Sequence, residues 1–277
     1  MRTIMTCVLS LFLSPALLSQ SKSDTTRETK DPGFLLTTLS YTSNNSSSRL
    51  TNAIKMPALM ASTAYYSNIG LYGQADYFKY LAPETNTFEA EFKLGYEKTF
   101  LDKFDLDCSY TNRQFRGDKA YEGISYNHAL DFSGTYNLKD LSIKLDNTFM
   151  VGQTNNYFLD LSLSYDFKFD RVLFKSGYLA ISPTITASFG TNFWLPGTID
   201  NIWGPHGHGG MGHPPTYVHQ RNFGYQSASL ILPLQYSLGN FTLSGGWFYA
   251  IPSATLKKLS WTNQSGFLVS LSYLLMF

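Results

Sequence analysis

Carboxylates are the main chemical resource of this sequence. Asp76, Glu89, Glu91, Glu97, Asp105, Asp107, Asp131, Asp146, Asp160 and Asp166 occur in alternating segments, with Lys93, Arg113, Lys144 and Lys168 on the same parities. In extended backbone, side chains two apart share a face, so each segment presents its charges on one side. Such a set either pairs into cross-strand ion pairs or lines a wet path that favours cations. Glu89 and Glu91 form a same-face carboxylate pair, an arrangement common in strands that does not by itself make a catalyst.

A second resource is the stretch Trp203 to Pro215, which holds His206, His208 and His213 among glycines, with Met211 between them and His219 just beyond. Neutral imidazole is a common metal ligand, and a thioether suits a soft ion, so this composition fits Cu, Zn or Ni. The same composition also suits an outer loop that simply tolerates His, Gly and Pro, and no fixed ligand spacing such as His-Glu-x-x-His is present. A third group is His128 with Ser125 and Asn127 nearby. Nucleophilic catalysis needs a hydroxyl, a base and an orienting group in hydrogen-bond reach. No local motif supplies that constellation, so His128 reads as a rim residue and the chain as a non-enzyme. There is no Walker loop or dinucleotide fingerprint.

The elements that carry these residues are strands. Phe88, Ala90, Phe92, Leu94 and Tyr96 alternate with Glu89, Glu91, Lys93, Gly95 and Glu97, and the same pattern recurs at 104–110, 130–136 and 141–146. The clearest case sets Leu159, Leu161, Leu163, Tyr165, Phe167 and Phe169 against Asp160, Ser162, Ser164, Asp166 and Lys168. Further strands are expected at 34–42, 56–67, 71–79, 179–189, 225–236, 241–249 and 266–277, about twelve in all. Pro183 and Pro233 fall inside two of them and mark bulges or strand ends, because proline removes a ladder donor. Connections after even-numbered strands are short, near Asn68, Asp102, Lys139, Asp170 and Gly239. Those after odd-numbered strands are expected to be longer: 44–55, around Pro83, around Gly117, around Asn155, 195–221 and 252–264.

Composition agrees with a sheet that is greasy on one side only. Aromatics reach 16 %, with 19 Tyr and 21 Phe, while charged residues are 15 % against about 25 % in ordinary globular proteins. Mean hydropathy is nevertheless slightly polar, at −0.15. The formal net charge of +1 gives no electrostatic case for nucleic acid. Residues 1–20 read as a cleaved export signal, with Arg2 ahead of the apolar run Ile4 to Leu18 and small residues at Ser19 to Ser21. Residues 21–33 read as a disordered periplasmic lead-in, and 34–277 as the folded unit. Cys108 is then the one remaining cysteine, so no internal disulfide is expected.

The last stretch, Gly266 to Phe277, has Phe267, Val269, Leu271, Tyr273, Leu275 and Phe277 on one parity and Leu268, Ser270, Ser272, Leu274 and Met276 on the other. A terminal strand with an oily face that closes on Phe resembles the last strand of bacterial outer-membrane β-barrel proteins. With the export signal, the alternating strands and the sorted loops, the resemblance covers the whole mature chain. It implies an all-β fold: a transmembrane, antiparallel, up-and-down barrel of about twelve strands with short periplasmic turns and long outer loops, located in the outer membrane. It also implies outer-membrane lipid and the barrel assembly machinery as partners, the terminal Phe being part of the signal that machinery reads.

In such a barrel, Glu89, Glu91, Lys93, Asp105, Asp107, Asp131, Lys144, Asp146, Asp160 and Asp166 are expected to line the lumen. Tyr96, Tyr110, Tyr136, Tyr165 and Trp247 are expected in interfacial girdles. The functional expectation is a pore or transport protein for small solutes, cation-preferring or metal-related. The alternative is a non-transporting surface or structural barrel whose His-rich loop binds a metal ion or partner. A barrel lipid hydrolase or acyltransferase is the third class, and it lacks its constellation here.

Overall fold

In a computed structural model the structure describes residues 33–44, 57–81, 88–116, 126–152, 155–174, 176–191, 223–258 and 262–277. Fourteen strand segments follow in chain order: β1 (Gly33–Thr42), β2 (Ala58–Ser67), β3 (Leu71–Tyr80), β4 (Phe88–Phe100), β5 (Phe104–Arg116), β6 (Tyr126–Leu138), β7 (Leu141–Gly152), β8 (Asn156–Tyr165), β9 (Phe167–Asp170), β10 (Gly177–Ile181), β11 (Thr184–Thr191), β12 (Phe223–Leu238), β13 (Phe241–Pro252) and β14 (Gln264–Met276). One short helix, α1 (Ala254–Lys258), sits between β13 and β14. No helix among the described residues is long and apolar enough to cross a membrane.

β8 with β9, and β10 with β11, each form one interrupted stave, so the segments make twelve staves. Every pairing is antiparallel, and each stave pairs with its sequence neighbours. The cylinder closes between the first and last strands, from Phe34 opposite Met276 to Thr42 opposite Leu268. Closure pairs every stave on both sides, the condition for crossing hydrocarbon with β-structure, although the β9 segment extends past the start of β7 and pairs with β10 alone.

Of the two prolines expected to mark bulges or strand ends, Pro183 marks a strand end, whereas β12 runs through Pro233 in unbroken register; the two lie at one level. Pro183 separates β10 from β11, and its carbonyl accepts from Tyr165 N at 3.2 Å. Pro233 stays inside β12, and its carbonyl accepts from Ser182 N at 3.3 Å. A strand residue points its N–H and C=O to the same neighbour, so the missing donors fall on both sides of the β10/β11 stave.

At one end the connections are tight. Lys139 and Gly239 take positive φ (59° and 56°) at the first position of two-residue hairpin turns. Leu101 and Asp102 do so between β4 and β5. The chain's first and last strands also start and finish at this end. At the other end, the 45–56, 82–87, 117–125 and 192–222 connections fall outside the described residues. The sorting of loop lengths has one exception. β7 and β8 pair out to Met150–Asn156, which leaves only 153–155 to join them, while six residues link β9 to β10. Pairing there runs up to the loop end, so the link around Asn155 is short.

The outward parity is apolar. Leu39, Leu94, Leu243 and Leu271 stand in the middle of their strands and are exposed. Aromatics flank them on both sides. Toward the loop end Tyr41 meets Phe267, Tyr77 meets Phe88, and Phe149 packs on Tyr157 at 4.6 Å between ring centres. Toward the short-turn end, Tyr165 meets Phe167 and Phe241 meets Tyr273, both at 4.8 Å. All five girdle candidates are outward and exposed: Tyr96, Tyr136 and Tyr165 toward the short turns, Tyr110 and Trp247 nearer the loops. Cys108 is a free, exposed thiol on this face.

Candidate functional site: the enclosed wall

The parity opposite the apolar one is enclosed, and its residues form the wall of the lumen. Glu89, Glu91, Lys93, Asp131, Asp146 and Asp160 are buried there, while Asp105, Asp107, Lys144 and Asp166 are half-buried. Burial without a partner is costly for charge, so the contacts of this set matter. Arg113 grips Glu89 with both forks: its Nε donates to Oε1 and its Nη2 donates to Oε2 at 2.6 Å. Lys144 lies 2.9 Å from Asp146 on its own strand, and Lys168 lies 3.4 Å from Asp166. Thr148 donates to Asp131 at 2.7 Å. Asp105 accepts from Thr99 and from Asn137, both at 2.6 Å. Asp76 accepts from Gln74 at 2.8 and 2.9 Å.

These residues do not converge on one point. Glu89 and Glu91 lie toward the loop end of β4. Asp105 and Asp107 lie toward the short-turn end of β5, and Asp166 lies near the turn that follows β9. Nor do they form a ring. β1, β2, β10/β11, β12, β13 and β14 are six contiguous staves, and their strand residues include no Asp, Glu, Lys or Arg. All charge on the described wall is confined to the other six, β3 to β8/β9. The lumen therefore has an ionic half and a neutral half. The signal for this was in the sequence: strand residues from 177 onward and before 71 carry no charge.

The neutral half is lined by hydroxyls and apolar groups. Thr38 and Ser272 hydrogen-bond at 2.9 Å, and Ser237 and Thr242 at 3.0 Å. Met60, Ile231 and Leu268 cluster on the inner face of this half, with Phe78 of the adjoining β3 and Phe248 packed against them. A second apolar group, Ala129, Met150 and Phe158, lies on the ionic half. Leu256 of α1 is also buried. Near the short turns Phe34, Tyr66 and Tyr72 stack in sequence across β1, β2 and β3, at 4.8 and 5.3 Å. These inward apolar groups are absent from the sequence-derived inner face. β2 alternates poorly because both of its parities carry Ala and bulky apolar residues, and no local pattern says which of them is enclosed.

Register joins the two halves. Arg113, Glu91 and Asp76 are direct partners across β5, β4 and β3, and Asp76 is opposite Ser62 of β2. Strands in a barrel tilt, so a row of partners perpendicular to them descends the lumen as it goes round. Asp146 and Asp160 are also direct partners, with Lys144 close by to offset two like charges.

His128 is outward, not enclosed. Its Nδ1 lies 2.6 Å from the Tyr110 hydroxyl, and the two rings stack at 5.9 Å. Ser125 lies outside the described residues. So do His206, His208 and His213, together with residues 1–20, expected to be an export signal, and residues 21–32 of the expected lead-in. Among the described residues, no three His, Cys, Asp or Glu side chains are grouped so as to hold a metal ion.

No family model matches this chain. No curated protein matches it either. Among solved structures it is similar to the KdgM porin, at 11 % identity over 86 % of this chain and 98 % of that one, with a TM-score of 0.49. It is similar to the NanC porin at 9 % identity, over 86 % and 98 % of the two chains, with a TM-score of 0.47. LpxR from Salmonella typhimurium gives 6 % identity, 87 % and 99 % coverage and a TM-score of 0.47. At these identities the likeness extends to the barrel and not to what any of these proteins does. The closed cylinder of twelve antiparallel staves, with an apolar outer face and its charged side chains turned inward, is the architecture of a β-barrel that crosses a membrane with its strands.

Proposed function

We propose that this protein is an outer-membrane channel for small solutes, with its short turns in the periplasm and a preference for cations. One observation carries the reading: the strands turn their charged side chains into the enclosed wall, where carboxylates outnumber the lysines and arginine. Carboxylates facing a narrow water path lower the local potential and concentrate cations. Glu97, Asp105 and Asp107 act at the periplasmic mouth, and Glu91 and Asp131 act deeper in. Lys144 and Arg113 offset part of this charge and hold the wall in shape.

The test is conductance of the purified, refolded protein in planar bilayers under a salt gradient. Current with a reversal potential on the cation side supports the reading. Changing Asp105, Asp107 and Asp131 to Asn should move that potential toward zero, and an unmoved potential rejects their role. The close packing of the wall favours a second reading, a plugged structural barrel. Glu89 is 0 % and Glu91 2 % exposed, and Arg113 locks the first of them. Absence of current at every voltage selects that alternative. The His206/His208/His213 segment adds a separate proposal, that these residues hold Cu, Zn or Ni. Equal calorimetric heats for wild type and a triple His→Ala variant would remove it.

A further inference from the structure

We infer that the neutral half of the lumen is a track for small uncharged polyhydroxylated solutes. This rests on the channel reading and names a solute class for it. The row that begins with Arg113, Glu91 and Asp76 does not stop at the ionic boundary. It continues through Ser62, Thr38, Ser272, Thr242 and Ser237 as direct cross-strand partners on β2, β1, β14, β13 and β12. Every member is polar. Arg113 is three residues from the loop end of β5, and Ser237 is one residue from the short turn after β12. The row thus runs from near one mouth of the lumen to near the other.

A second observation points to a ligand. The Ser40 and Ser244 hydroxyls lie in the adjoining row, joined through Ser270. Both serines are at least 95 % buried, and both oxygens have no hydrogen-bond partner among the described residues. A buried hydroxyl with nothing to bond is costly, and such groups in native proteins have a reason. Hydroxyls both donate and accept, as do the hydroxyls of a polyol, so a chain of them offers a moving solute one matched partner after another. No fixed charge on these six staves would trap an ion. Beside the row stand Met60, Leu268 and Phe248, and nearer the short turns, below its β1 to β3 members, the Phe34–Tyr66–Tyr72 stack. These supply apolar faces for the C–H side of a sugar ring. Anionic solutes meet the carboxylates of the opposite wall and are excluded.

The test uses sucrose as the neutral probe and glucuronate as the anionic one, with single channels in planar bilayers. Sucrose should interrupt the ion current in a concentration-dependent way, and glucuronate should need at least about tenfold more for equal block. Thr38→Val with Ser272→Val, and separately Ser40→Ala with Ser244→Ala, should each weaken sucrose block about tenfold, the loss of two hydrogen bonds. Channel openings in the same membranes show that each variant has folded. Channels that conduct but ignore sucrose, or variants that block like wild type, overturn the track and leave the pore intact. If nothing conducts, the pore reading fails. Calorimetry of sucrose against the detergent-folded protein then decides the track by itself, and zero heat rejects it.

Discussion

The Tyr72 ring lies flat across Gly95, its direct partner on the neighbouring strand. A methyl at Gly95 would fall inside the ring. The absent side chain lets Tyr72 cross β4 and reach Asp107 on β5 with its hydroxyl. Phe158 over Gly190 and Phe248 over Gly266 repeat the arrangement, each again between direct partners. An aromatic covering a cross-strand glycine fills the gap in the inner wall and pins register.

Gly95→Ala should therefore expel the Tyr72 ring from the wall and break its link to β5. The expected cost is about 1–3 kcal/mol, from overpacking and the lost hydrogen bond. Tyr72→Phe should cost less, because the ring stays in place. Denaturant unfolding of both variants in phospholipid vesicles orders them; equal costs would mean that the hydroxyl, not the ring, holds this contact.

Removing one member of the Glu89–Arg113 pair leaves the other charge buried. Arg113→Met should destabilise the barrel by about 3–5 kcal/mol, and Glu89→Gln by a similar amount. The double variant should recover much of that loss, since the uncompensated charge is gone. A double-mutant cycle by denaturant unfolding checks this, and strictly additive single effects would contradict the pairing.

Leu271 stands outward at the middle of β14, between Leu39 and Leu243. Leu271→Arg should cost about 2–4 kcal/mol in a bilayer, the depth-dependent price of a cation at the hydrocarbon midplane. Inward Ser270→Arg, one residue away, meets the wall instead and should alter conductance. An Arg at 271 that leaves stability untouched would place this face away from lipid.

The two prolines predict uneven local stability. Hydrogen exchange should be faster at Tyr165, Ser182 and Leu234 than at the centres of β4 and β5, whose pairing is unbroken over thirteen rungs. Pro233→Ala restores a donor toward the β10/β11 stave and should slow exchange at its partners; an unchanged pattern would show that Pro183 alone sets the irregularity.

The sequence by itself determined that this chain is a barrel with its charged side chains turned inward. Side-chain alternation has a period of two and is local, so Glu89 and Phe92, or Leu163 and Asp160, declare opposite faces without reference to any other strand. Turn residues such as Gly239 and Lys139 are equally local. What only the tertiary structure decided is who meets whom across strands. Arg113 lies 24 residues from Glu89, Ser272 lies 234 from Thr38, and Gly95 gives no hint that Tyr72 will cover it. Those meetings depend on the stagger at which twelve tilted staves close, a quantity no single strand encodes. The ionic half was written in the order of the chain, because its staves are consecutive. The row of hydroxyls that crosses the neutral half was not, since closure of β1 on β14 is what joins its two pieces.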